Sequence, residues 1–381
     1  MRVQESEPVA YAGFSDRIAL ASYTTSSGLE IYALSANYNT GVGRITEFTL
    51  DGEFSNLYTI DGTTEEMKLG EGLAGDDGVI MICTPDRDNE IGRCFTNEYS
   101  QEGFFFQFSG YDQVVGARYG SSAAVNAELE FAVGCSQLLD RGSNVNAGKC
   151  TIHDFFGAYI NTVNPPDDES VESEKFGLDV RINSNGIFVS SERVTSGVLS
   201  GAIFWFDTGG GTTYLSKVVS SNSDTDDLFG NGFDVLDNLL AVGTPYDTSP
   251  DGIQCGSVSL YNISPTNQVL TFGRKIWPPT CISDYQFGAY KSIAILPNVI
   301  LVGSGGLDGW VDVFSTEGDF LYNITSPETE TSWGFGKRVV ARSFPDSGLS
   351  VALIGAPNGP TSGELQGSGY TYILTSAKHF V

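Results

Sequence analysis

Val351-Ala352-Leu353-Ile354-Gly355-Ala356-Pro357 is an apolar run of strand length that stops on a glycine, a small residue and a proline. Phe335-Gly336 precedes it, and Gly369-Tyr370-Thr371-Tyr372-Ile373-Leu374, a second strand-like stretch opened by glycine, follows it. The same succession occurs twice upstream. Phe287-Gly288 leads through Val299-Ile300-Leu301-Val302-Gly303-Ser304 to Gly309-Trp310-Val311-Asp312-Val313-Phe314. Phe229-Gly230 leads through Leu239-Leu240-Ala241-Val242-Gly243-Thr244-Pro245 to Gly256-Ser257-Val258-Ser259-Leu260-Tyr261. Self-similarity of this kind marks a repeat architecture, in which one supersecondary unit recurs along the chain.

With that template, fainter copies start at Phe176-Gly177, Val115-Gly116, Leu69-Gly70 and Phe14-Ser15, where Phe104-Phe105-Phe106 reads as the third strand of the unit led by Leu69. The leads at 14, 69, 115, 176, 229, 287 and 335 stand 46 to 61 residues apart, the length of a four-stranded unit with its loops. Within each unit an inner strand follows the lead. A continuously apolar second strand suits burial on both faces, and an alternating third strand suits a position nearer solvent. An outer strand such as Ser55–Ile60 or Phe320–Ile324 completes the unit. The expectation is an all-β chain, residues 1–381 forming one seven-bladed β-propeller of four-stranded antiparallel blades. Little sequence remains after the last third strand, so the N-terminal segment, with Pro8-Val9-Ala10-Tyr11, is expected to close the final blade.

These units resemble the FG-GAP repeats of the integrin α-subunit head. The resemblance spans residues 14 to 374 and rests most firmly on the last three units, with Gly243-Thr244-Pro245 and Gly355-Ala356-Pro357 in place. It implies that the Phe packs between blades, that its Gly permits close backbone approach, and that the loop face serves ligands and partner subunits. It also implies calcium loops of the Asp-x-Asp-x-Asp-Gly type between first and second strands. Here this chain departs from the family, holding only Asp76-Asp77-Gly78, Asp234 with Asp237, or Asp346-Ser347-Gly348.

Composition narrows the setting. With 47 acids against 20 bases, the formal net charge of −27 excludes phosphate-backbone recognition, so nucleic acid is not an expected partner. No run approaches the roughly 18 apolar residues of a membrane helix. Met1–Glu7 is too acidic for a secretory signal, so either a signal has been removed or the chain is an excised domain. Six cysteines fall as neighbouring pairs, Cys83 with Cys94, Cys135 with Cys150 and Cys255 with Cys281. Without C-x-x-C spacing and with two histidines in all, disulfides are the economical reading, although spacing alone does not prove connectivity. The sequons at Asn262 and Asn323 point to the same extracellular, secreted or cell-surface location.

Loops linking second to third strands share a face of such a disc with loops linking successive units. The latter carry Glu65, Glu66, Asp167, Asp168, Glu169, Asp224, Asp226, Asp227, Asp284 and Glu328. This face is the expected ligand surface, for a protein or glycan partner; plain solubility is the competing reading of the same charge. Asp86, Asp88 and Glu90 have the best spacing for calcium, the one cofactor suggested, with a solvated acidic turn as the plainer alternative. No nucleophile elbow, zincin motif or phosphate loop occurs. His153 reads as packed or locally paired, and Trp277-Pro278-Pro279 with Tyr285 as inter-blade packing rather than a sugar platform. A non-catalytic adhesive or structural role is the leading expectation. A polysaccharide lyase is its rival, short of cationic candidates, and self-association into a fibre is a third possibility.

Overall fold

The computed structural model describes residues 2–3, 17–25, 28–37, 44–49, 60–61, 68–98, 106–110, 114–140, 144–166, 175–192, 194–195, 198–209, 213–220, 227–306, 309–326, 334–344, 347–357 and 370–376. These form seven four-stranded antiparallel sheets and one small hairpin. Sheet 1 runs from Arg17–Thr25 through Gly28–Asn37 and Arg44–Thr49 to Ile60–Asp61. Sheet 2 comprises Leu73–Asp76, Val79–Thr84, Arg93–Glu98 and Phe106–Phe108. Sheet 3 comprises Ser122–Asn126, Phe131–Ser136, Lys149–His153 and Tyr159–Val163. In sheet 4, Val180–Asn183, Gly186–Ser191, Ala202–Phe206 and Tyr214–Val219 pair in order, and the hairpin Val194–Thr195/Val198–Leu199 is inserted between the middle two. Sheet 5 comprises Phe233–Leu236, Leu239–Thr244, Ser257–Ser264 and Val269–Ile276. Sheet 6 comprises Ile293–Leu296, Val299–Val302, Trp310–Ser315 and Phe320–Thr325. Sheet 7 comprises Arg338–Phe344, Leu349–Ala356, Tyr370–Ser376 and, as its outer strand, Arg2–Val3.

The first strand of each sheet lies against the first strand of the next, and Arg338–Phe344 of sheet 7 lies against Arg17–Thr25 of sheet 1. The sheets therefore close into a ring around an axis, the arrangement of a β-propeller. The seam is covalently unsealed but paired, with Arg2 opposite Tyr372 and Val3 opposite Thr371. Pro8–Tyr11, the segment expected there, lies outside the described residues. Packing follows the ring. Ile18, Leu20 and Ile31 of sheet 1 bury against Val351 and Leu353 of sheet 7, and equivalent clusters fill the other junctions. The apolar second strands are what these clusters cover. Val79–Thr84 and Gly186–Ser191 are buried at every position, as their unbroken hydrophobic runs require. Each such Val, Leu or Ile contributes about 1.5–3 kcal/mol on removal from water.

The leads have a common backbone signature, and it corrects one of them. Gly70, Gly177, Gly230, Gly288 and Gly336 each donate an N–H to the end of their own sheet's second strand, at Cys83, Ser190, Gly243, Gly303 and Gly355. In sheet 3 that donor is Gly120, bonded to the Cys135 carbonyl at 2.9 Å, not Gly116. The lead is thus Tyr119-Gly120, four residues beyond Val115-Gly116. Tyr119 is 1% exposed, and the Thr151 hydroxyl donates to its phenol oxygen at 3.0 Å. A Cβ on Gly116 would meet nothing, whereas one on Gly120 would sit 2.5 Å from the Cys83 Cβ. Phe106 is corrected too: the third strand of sheet 2 is Arg93–Glu98, set by the Cys83–Cys94 pairing, and Phe106 lies in the outer strand. Phe14-Ser15 lies outside the described residues.

Candidate functional site

Two regions gather chemistry, the loop face and the ring's axis. On the loop face each lead aromatic is latched to the glycine that opens the preceding sheet's third strand. Tyr119 N–H donates to Ile91 O at 2.9 Å, Phe176 to Ala147 at 3.0 Å and Phe287 to Cys255 at 2.9 Å. A Cβ on Gly92, Gly148, Gly201, Gly256 or Gly309 would collide with the carbonyl oxygen of Tyr119, Phe176, Phe229, Phe287 or Phe335. Links between sheets and second-to-third-strand links therefore touch, as they must if they share a face.

The disulfides reinforce those junctions. Cys83–Cys94 and Cys135–Cys150 join directly opposed residues of second and third strands, with Cα–Cα distances of 4.0 Å each, and Cys255–Cys281 ties the opening of a third strand to the following link. Gly120 and Gly177 pack on the first two bridges, where sheets 5 and 6 offer Gly243 with Val258 and Gly303 with Val311. Replacing Cys135 and Cys150 together by alanine is expected to lower stability by about 2–4 kcal/mol. Denaturant unfolding of the pair variant against the parent checks this.

Of the acidic ligand-face residues, Asp284 is exposed on a left-handed turn whose N–H donates to Gln254 O at 3.1 Å. Asp227 is corrected: it is only 4% exposed, tucked under the turn whose Tyr246 N–H donates to its carbonyl, so its carboxylate does not face solvent. Glu65, Glu66, Asp167, Asp168, Glu169, Asp224, Asp226 and Glu328 lie outside the described residues.

The calcium candidate is stitched to the chain's own cations. Asp88, Asn89 and Glu90 take left-handed φ of 55°, 61° and 66°, so the segment is a tight loop. Asp86 receives Arg118 Nε at 2.7 Å and faces Lys68 at 3.2 Å, while Asp88 is paired with Arg93. Arg118 also reaches Glu71 at 2.7 Å and so joins the loop to the start of sheet 2's inner strand. Among the described residues no three His, Cys, Asp or Glu side chains gather as metal ligands. The first-to-second-strand carboxylates cap neighbouring strands instead: Asp76 accepts from Ala127 N–H at 2.7 Å and Asp234 from Ile295 N–H at 2.8 Å.

His153 is 3% exposed, stacked on Phe108 at 4.5 Å and bonded to Gly157 O and Thr151 Oγ1; burial lowers its pKa, leaving it neutral. Tyr285 is buried against Trp310 at 5.0 Å, and Trp277 packs in the same cluster, as inter-blade packing predicts. Asn262 and Asn323 are both exposed.

The axis holds what sequence reading missed. A cavity of about 530 Å³ runs between the inner strands, with Arg181, Asp234, Lys291 and Arg342 in its wall. At the end where these strands begin, Tyr290 of sheet 6 lies across the axis. Its hydroxyl reaches Leu178 O in sheet 4 at 3.4 Å. Arg17 of sheet 1, Lys291 and Arg338 of sheet 7 stand 5.1, 5.3 and 5.4 Å from its ring centre. Behind them Asp179, 0% exposed, faces Arg181 at 2.9 Å and Lys291 at 3.8 Å. Burial, aided by the guanidinium charges of Arg17, Arg181 and Arg338 against the opposing pull of Asp179, pushes the Lys291 pKa down to about 7. Burial pushes the Tyr290 phenol up to about 12, so it keeps its proton. In a chain this acidic, such a convergence of bases is a local inversion of charge. The signal was available as register: each of these residues sits within a few positions of a lead glycine or at the first step of an inner strand.

No family model matches the chain, and no curated protein matches it. Among solved structures it is similar to the Dos1 propeller, with a TM-score of 0.52 and 13% identity over 95% of this chain and 78% of that one. At this identity the likeness speaks to architecture alone, and with the closed ring of four-stranded sheets it shows a β-propeller.

Proposed function

We propose that this is a seven-bladed, FG-GAP-type propeller of the extracellular space that binds a protein or glycan partner through its loop face, without catalysis. The observation that carries this reading is the bracing of that face. Three disulfides and the repeated glycine latches hold loops at fixed positions on a rigid disc, which is how scaffolds present recognition loops. The acidic links supply a field for cationic or calcium-bridged partners. Binding of the purified chain to glycan and extracellular-protein arrays, with calcium and again with EDTA, is the test. A partner should appear, and reversing charge at Asp167, Asp168 and Glu169 should weaken it by about tenfold or more. Binding untouched by that reversal sinks the loop-face assignment.

One observation favours a second reading. The rival lyase was short of cationic candidates in the sequence, yet Lys291, with its pKa brought close to neutral pH, stands beside Tyr290 and three arginines at the axis. Release of unsaturated oligosaccharides from acidic polysaccharides would replace binding by catalysis.

A further inference from the structure

We infer that Asn262 carries an N-linked glycan whose first sugar residues lie in the groove between sheets 5 and 6, on the face of the disc opposite the loop face. This rests on the extracellular setting proposed above and is independent of the loop-face partner.

Asn262 sits where the strand register points it into the space between two sheets. Leu260 and Val258, two and four residues before it on the same side of Ser257–Ser264, are buried against sheet 6. One step further along that side, Asn262 is the strand's one exposed residue, because the sheets part there. The opening is a groove of about 580 Å³, with Leu239, Leu260, Ile295 and Pro297 as apolar walls and Asn238 and Arg274 as polar ones. The matching junction between sheets 4 and 5 is filled. Counted from Gly201 and Gly256, which open the two third strands, Trp205 holds there the position that Leu260 holds here, and it is 0% exposed. Leucine is the smaller side chain, and the difference leaves room.

The acceptor nitrogen is free and uncovered. Among the described residues the Asn262 side-chain amide has no hydrogen-bond partner. Beside it the outer strand Val269–Ile276 has a bulge: Leu260 pairs with Arg274 and Tyr261 with Phe272, so Gly273 is the extra residue. A Cβ on Gly273 would stand 3.4 Å from Asn262 Nδ2, so glycine keeps the approach to that nitrogen clear. Asn262-Ile263-Ser264 is an acceptor triplet for N-glycosylation. Transfer joins Nδ2 to the anomeric carbon of an oligosaccharide carried on a lipid diphosphate. The N–C bond forms, the C–O bond to the diphosphate breaks, and the amide gives up one proton as the diphosphate leaves. Asn262 is paired with Leu239 on one side and Thr271 on the other, so transfer precedes folding and the groove receives the sugars as the sheets close. The apolar face of the first pyranose then covers Leu239, Leu260 and Pro297. Asn238, whose Oδ1 is taken by Asn185, still offers its amide N–H groups to the sugar, and Arg274 offers the donors it does not use on Glu317 O and Asp319. Asn323 is the contrast, exposed on the outer strand Phe320–Thr325 and outside the groove's lining.

The full chain secreted from a eukaryotic cell tests this, with an endoglycosidase that cuts between the first two sugars as the probe. Glycopeptide mass should show sugar at Asn262. A glycan seated about nine tenths of the time is open to the enzyme for about one tenth of it, so release from folded protein should be about tenfold slower than from protein first unfolded. Any sugar at Asn323 should leave both at one rate. Leu260→Trp, which copies sheet 4 and fills the groove, should restore fast release at Asn262. The comparison of folded with unfolded parent decides the matter should that variant fail to fold. Equal release from folded and unfolded parent, or slow release that survives Leu260→Trp, overturns the seat. A secreted chain with Asn262 bare overturns the site. A chain retained in the cell without sugar at either triplet sinks the extracellular reading as well.

Discussion

Gly309→Ala should destabilise the fold by more than about 3 kcal/mol, among the largest effects of any single methyl group in the chain. The added Cβ would stand 1.7 Å from the Phe335 carbonyl oxygen and 2.9 Å from its carbon. Both atoms belong to backbone, so no rotamer change relieves the clash. The glycine opens the third strand of sheet 6, and Phe335 is the lead of sheet 7, so relief means parting the two sheets at their latch. That junction buries Leu301, Val313, Val339 and Ile354, which the movement would loosen together. Gly201→Ala meets Phe229 O at 1.8 Å and should behave alike. Gly273→Ala is the contrast: its nearest neighbours, Asn262 Nδ2 and Leu260 O, lie at 3.4 and 3.5 Å, and the change should cost less than about 1 kcal/mol. Denaturant midpoints of the three variants read this directly. A Gly309→Ala midpoint within error of Gly273→Ala would mean the latch is not what fixes the sheet spacing.

The second large effect depends on pH. Asp312, in the third strand of sheet 6, is 0% exposed, and its carboxyl lies near Tyr285 and the Trp310 indole. Burial pushes its pKa up to about 7, the Trp310 N–H opposing this in part. The folded value lies above the unfolded one of about 3.9, so the folded state holds a proton that the unfolded chain releases. Stability from this group is therefore complete below about pH 4, is lost as pH rises to about 7, and changes no further above that. The gap between those two values is worth about 4 kcal/mol at most. Asp312→Asn removes the titration and keeps the shape. It should match the parent near pH 4 and exceed it by up to about 4 kcal/mol at pH 8. Other carboxylates move both proteins equally, so the difference between their unfolding curves isolates Asp312. Curves that stay parallel from pH 4 to 8 would show that Asp312 is ionised in the fold.

The residues that made the fold legible are those whose role is local. Phe287-Gly288, Val299–Val302 and the glycine at 309 state a lead, a buried strand and a latch within one unit, because burial on two faces demands an unbroken apolar run. The cysteine pairs were readable for the same reason, their partners lying across one hairpin or one link. Tyr119 was passed over because its phenol disguises the lead, and the bond from Thr151 that makes a buried hydroxyl tolerable comes from another strand. Asp86 and Asp88 looked like metal ligands in isolation. Arg118 and Arg93, which pair with them, are separated in sequence by up to 32 residues.

By itself, then, the sequence determined the strand-rich repeat and the apolar second strands, which follow from short-range pattern, and it suggested the cysteine pairs that the structure joins. Ring closure assembled the axis. Arg17, Asp179, Arg181, Tyr290, Lys291 and Arg338 come from sheets far apart in the chain, and their shared register beside the leads becomes a cluster only when those sheets meet. Only closure brings their charges within a few ångströms of one another, where burial and the neighbouring guanidinium charges set the acidity of Lys291. A pKa of that kind depends on distance and desolvation, and both are properties of the folded ring.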